Sequence, residues 1–171
     1  MAERLNPAFS EIVLSSVVEL SVDLGFPCTT VPEDKQVAFS KEECMAAAIG
    51  YSCPQLKGSV TLISAKSLLA RSHPNLQMGM PVGDQEVEDW IGEISNQLLG
   101  RIKNKLLKFG ASVSMATPSV LGGNEMVPKV PKEGASSSFK FESPIGALVV
   151  TVNAVFSPGY NFEAVDDNSS S

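Results

Sequence analysis

The sequence predicts an α+β layer fold: a mostly antiparallel sheet carrying two or three helices, with one long central helix. Three observations predict it. Residues 84–110 repeat with helical period, residues 43–64 and 139–156 each read as two strands joined by turn residues, and the strands come in runs rather than alternating with helices. No internal duplication is visible.

The first helix is marked by Phe9, Ile12, Val13, Val17, Leu20 and Leu24 at three- and four-residue steps. It starts near Pro7 and is ended by Gly25 and Pro27. Pro27 to Lys35 reads as a loop. Glu43 to Ser52 is dense in apolar residues and reads as a buried strand, a short helix being the alternative. Gly58 to Ser64 alternates and pairs with it through a hairpin loop containing Pro54. Ala65 to Arg71 is helical, and Pro74 and Gly79 break the pattern. Beyond Gly110, Ala111 to Ala116 is a short strand. Gly122 to Ser138, rich in Gly, Pro, Lys and Ser, reads as a mobile surface loop. Phe139 and Phe141 alternate with Lys140 and Glu142, Ser143 to Gly146 turns the chain, and Ala147 to Phe156 is the strongest strand signal. Residues 1–156 are expected to form one domain, and 157–171, with little to bury, a C-terminal tail.

Composition bounds the function. The 171 residues are 43% apolar and 19% charged, which fits one globular domain with a substantial core. A net charge of -6 disfavours nucleic acid or an anionic membrane surface as partner. No signal-peptide layout and no spanning apolar run are present, so a cytoplasmic location is expected. Three cysteines without a Cys-x-x-Cys pair, and the single histidine His73, give no zinc spacing. The cysteines read as buried small hydrophobes and His73 as a loop residue.

The stretch 84–110 is the informative one. It opens on acidic residues and closes on Lys103, Lys105 and Lys108, with Gly110 placed for a left-handed cap. At 100° per residue Ile91, Ile94, Leu98, Ile102 and Phe109 gather within roughly 80° of arc. Asp89, Glu93, Asn96, Gly100 and Lys103 occupy about the same arc on the opposite side. Taken alone, Glu93-x-x-Asn96 is weak, and a second copy, Glu3-x-x-Asn6, is accidental.

The whole run from Asp89 to Lys103 resembles the signature helix of the CheC/CheX phosphatases of bacterial chemotaxis. That signature runs Asp/Ser-x-x-x-Glu-x-x-Asn, then an apolar pair, a glycine, and a lysine three further on. Ile49 to Ser52 followed by Gly58 to Leu62 resembles the family's first hairpin, Pro118 to Gly123 its loop after the helix, and Phe139 to Phe156 its closing hairpin. The likeness covers roughly residues 7 to 156. A single motif copy is similar to CheX. Glu19 on the first helix has Val22 where a second asparagine would stand. Arg101 departs from a common asparagine and lies off the carboxylate face; Cys53 stands where the hairpin often has glycine.

The resemblance implies a phosphatase for the aspartyl phosphate of a CheY-like response regulator. Glu93 and Asn96 would be catalytic, with Asp89, Gly100 and Lys103 binding the partner. It implies no cofactor in this chain, the Mg²⁺ being supplied by the regulator, and a homodimer paired through the sheets. An asparagine there can orient water by offering a donor and an acceptor at one rigid point, and Glu93 can pair with a partner lysine. The alternative is a non-catalytic module of the same fold that docks regulators or assembles through a sheet edge. A third reading, a pocket for an apolar ligand, rests only on the apolar sheet.

Overall fold

The computed structural model describes residues 3–34, 43–123 and 133–165. Its elements are α1 (Pro7–Asp23), β1 (Thr29–Val31), β2 (Cys44–Ser52), β3 (Leu56–Ala65), α2 (Lys66–Ser72), α3 (Pro74–Gln77), α4 (Asp84–Leu106), β4 (Ser114–Met115), β5 (Ser119–Gly123), β6 (Ala135–Ser143) and β7 (Gly146–Phe156). The strands form one sheet in the order β1-β6-β7-β3-β2-β4, with β5 also paired to β2. Every strand pair is antiparallel. The α+β layer architecture with a long central helix is therefore present.

The sequence explains the layering. On β7, Leu148, Val150, Val152 and Ala154 are buried in register with Leu62, Val60 and neighbours on β3, and β2 adds Met45, Ala47, Ile49 and Tyr51. Phe9, Val13, Val17 and Leu20 of α1 and Ile91, Ile94, Leu98 and Ile102 of α4 close the core from above. Each such side chain contributes about 1.5–3 kcal/mol on burial. Asn6 caps α1 by accepting from the Ala8 amide at 2.8 Å, and Pro7 starts the helix. No helix among the described residues is long and apolar enough to cross a membrane.

One close approach fixes the sheet centre. The Tyr51 hydroxyl donates to the Asn153 carbonyl at 2.6 Å. A Cβ on Gly58 would stand 2.0 Å from that carbonyl oxygen and 2.6 Å from the hydroxyl, so only glycine fits. Burial pushes the Tyr51 phenol well above its ordinary range.

Several expectations are corrected. Pro27 to Lys35 is not all loop, since Thr29–Val31 pairs with β6. Pro118 to Gly123 is not a loop either: Ser119–Gly123 pairs with β2. Residues 135–138 belong to β6 rather than to a loop, because they hydrogen-bond along β7; residues 124–132 of that expected loop lie outside the described residues. Of Ala111 to Ala116 only Ser114–Met115 is paired. The expectation that 157–171 has little to bury fails for 157–165, where Tyr160 and Phe162 pack on the core. Residues 166–171 lie outside the described residues.

Candidate functional site

α4 is held at three points along its length. Near its start Gly83 N–H donates to the Glu86 carboxylate at 3.0 Å, and the buried Trp90 donates from Nε1 to Ser72 Oγ of α2 at 2.9 Å. In its second half Lys105 Nζ reaches Ser15 Oγ and Glu19 Oε2 of α1, each at 2.9 Å. Arg101 also pairs with Asp23 and Glu19 of α1. At its end one 3₁₀ turn, Leu107–Phe109, leads to Gly110 at φ 75°, the left-handed cap expected there. There the Tyr160 hydroxyl donates to the Phe109 carbonyl and Val165 N–H to that of Lys108.

The apolar stripe of this helix is spent on the core, with Val87, Trp90, Ile91, Ile94, Leu98, Leu99, Ile102 and Leu106 all buried. The opposite side carries the five residues singled out from the sequence, and the helix brings them into one row about 21 Å long. Asp89 and Glu93 are exposed, while Asn96, Gly100 and Lys103 are half-buried. Asn96 makes no side-chain hydrogen bond among the described residues, and Lys103 no ion pair. A Cβ on Gly100 would meet nothing within 4 Å. Nothing in the fold requires glycine there, although it costs a helix interior about 0.5–1 kcal/mol against alanine. Arg101 lies off this row, as expected, and serves the contact with α1.

Two neighbours escaped the sequence reading. Gln97 Nε2 donates to Glu93 Oε1 at 3.1 Å, and Gln85 Nε2 donates to Asp89 Oδ1 at 2.9 Å. Both stand four residues from the carboxylate they bind, the spacing at which helical side chains meet, so the signal was available. Asp89 and Glu93 are like charges four residues apart, which repel by about 0.2–0.5 kcal/mol, and each amide binds its carboxylate from the side away from the other.

The row holds two carboxylates, each accepting one amide, and among the described residues no three His, Cys, Asp or Glu gather into a metal-ligand set. What it offers instead is a fixed donor and acceptor at Asn96, negative charge at Asp89 and Glu93, and positive charge at Lys103.

Comparison with known proteins gives the family to which this fold belongs. Residues 45–142, which include all of α4, match the family model of chemotaxis phosphatase CheX. A CheC-like superfamily protein from Shewanella sp. PV-4 is 26% identical, with a TM-score of 0.74 over 88% of this chain and 99% of that one. The chemotaxis protein CheX from Vibrio vulnificus has the same fold at 23% identity, with a TM-score of 0.73 over 86% and 96%. A CheX–CheY–BeF3–Mg²⁺ complex from Borrelia burgdorferi also shares the fold, at 15% identity and a TM-score of 0.64 over 85% and 97%. Among curated proteins nothing matches the chain. A motif helix presented on an antiparallel sheet and a family match spanning more than half of the sequence lead to one conclusion: the chain belongs to the CheX chemotaxis phosphatase family.

Proposed function

We propose that this protein hydrolyses the aspartyl phosphate of a CheY-like response regulator, with Asn96 orienting the attacking water. The observation that carries the reading is the Asn96 carboxamide: half-buried, unengaged by any described residue, and one turn from Glu93 on a helix anchored along its length. An acyl phosphate is already labile, so the protein's task is to place a water in line with phosphorus and hold it there. The Asn96 oxygen accepts one water proton and its amide nitrogen donates to a phosphoryl oxygen, which points the water's lone pair at the phosphorus.

Glu93 pairs with a lysine of the regulator and so sets the register of docking. Gly100, with open space above it, lets the partner's backbone come close. Asp89 and Lys103 give the row opposite charge at its two ends, which steers the partner's orientation. The B. burgdorferi protein is found with CheY, BeF3 and Mg²⁺, and trifluoroberyllate mimics a phosphoryl group. In this reading the Mg²⁺ comes with the regulator, an assignment that the presence of BeF3 and Mg²⁺ in that complex supports. Two copies of the chain pair through their sheets as a homodimer, which sedimentation at micromolar concentration tests directly.

The test is phosphate release from a phosphorylated receiver domain with wild type, Asn96→Ala and Glu93→Ala. Loss of turnover in Asn96→Ala and weaker binding in Glu93→Ala are expected. Full turnover by Asn96→Ala would remove the water-positioning mechanism.

A further inference from the structure

We infer that Gln97 is a positioning residue for Glu93, holding its carboxylate in the attitude that receives the regulator's lysine; this rests on the function proposed above. Gln97 lies one turn after Glu93, and its Nε2 donates to Glu93 Oε1 at 3.1 Å. Glu93 is exposed, and this is the one hydrogen bond its side chain makes with a described residue. Its second oxygen is left to a partner.

The surroundings explain why such a hold is needed. Asp89 and Glu93 stand four residues apart, where like charges repel and would scatter both side chains over many rotamers. Instead each is drawn outward along the helix. Asp89 accepts from Gln85 on its N-terminal side at 2.9 Å, and Glu93 from Gln97 on its C-terminal side.

The chemistry of the holding group matters as much as its place. A lysine at position 97 would also bind Glu93, in the orientation helices favour, but it would neutralise the charge the partner seeks. An amide holds the carboxylate and leaves its negative charge intact. Glu93 then meets the partner's ammonium with its torsions already fixed, and the entropy of ordering it is not lost on docking.

The experiment measures KM and kcat for a phosphorylated receiver domain with wild type, Gln97→Leu, Gln97→Lys, Glu93→Ala and the double variant Gln97→Leu/Glu93→Ala. Gln97→Leu should raise KM about two- to tenfold, the range for freeing one rotamer-rich side chain, with kcat changed by less than about twofold. Gln97→Lys should raise KM at least as much. In the Glu93→Ala background Gln97→Leu should change nothing, an outcome a merely structural role would not give. An unchanged KM in Gln97→Leu, or the same rise with and without Glu93, overturns the inference while leaving the phosphatase reading standing. A wild type that does not hasten phosphate release overturns both.

Discussion

The ring of Phe162 lies stacked on that of Phe109, their centroids 4.2 Å apart and their planes 7° from parallel. Phe9 of α1 stacks on the same Phe162 at 5.4 Å, and Phe156, at the end of β7, meets it at 5.6 Å. The segment after β7 therefore ties the end of α4 to α1 and to the sheet. Replacing Phe162 by Ala removes a half-buried ring and its contacts with Phe9, Phe109, Phe156 and Tyr160, and should cost about 2 kcal/mol in urea unfolding. A change below about 0.5 kcal/mol would show the segment to be dispensable for the fold.

Two glycines should respond in opposite directions. At Gly100 a Cβ meets nothing within 4 Å, so Gly100→Ala should stabilise the protein by about 0.5–1 kcal/mol while weakening the regulator's approach. At Gly58 the same atom would strike the Asn153 carbonyl oxygen at 2.0 Å. Gly58→Ala should therefore cost several kcal/mol, more than the roughly 1 kcal/mol expected for losing one hydrogen bond in Tyr51→Phe. Thermal unfolding of the three variants decides this, and equal responses at the two glycines would refute it.

The residues explain how far the sequence could be read. α4 was legible end to end because its caps, its charge gradient and its apolar stripe all agree. The pair β6–β7 was legible because Phe139, Phe141, Leu148 and Val150 alternate. β1 was not, since Thr29–Val31 is three residues long and gains its identity only by pairing with β6 more than a hundred positions away. β5 ends on Gly122 and Gly123, which by composition read as a loop. Tyr160 and Phe162 are isolated aromatics in a polar stretch, and only the fold brings Phe9 and Phe109 to them. At the site, the row from Asp89 to Lys103 was readable from helical spacing, whereas the freedom of the Asn96 amide needed the surrounding elements.

A pH dependence follows from the pair beside the start of α4. Lys66 Nζ bonds Glu43 Oε2 at 2.8 Å, which lowers the Glu43 pKa below its ordinary 4.5 and raises that of Lys66 above its ordinary 10.5. A depressed carboxylate stabilises the fold above its unfolded value, and that contribution is lost as pH falls through the folded value. A raised lysine stabilises below its unfolded value, and the contribution is lost as pH rises through the folded one. The pair thus contributes fully at neutral pH. The difference in Tm between wild type and Glu43→Gln should shrink from about pH 7 to about pH 3, and also with added salt, because the pair is solvent-screened. A difference independent of both would mean that Glu43 acts through packing.

Asn96→Asp is the sharpest substitution at the site. The two side chains have nearly the same shape, so the fold and the position of the group are kept. The amide donor is replaced by a negatively charged acceptor, which stands one turn from Glu93 and faces the phosphoryl oxygens of the docked regulator. An aspartate can still accept a proton from water, but it repels the phosphoryl group that the amide would have held. Because losing one donor aimed at the reacting group's charge costs about a hundredfold or more in rate, kcat should fall by about that factor in Asn96→Asp, and KM should rise as well. In Asn96→Ala, by contrast, kcat should fall with KM little changed, since the donor is lost without added charge. If Asn96→Asp retained turnover like wild type, the side chain would be working as a general base rather than as an orienting amide, and its pH–rate profile would then show a carboxylate titration absent from wild type.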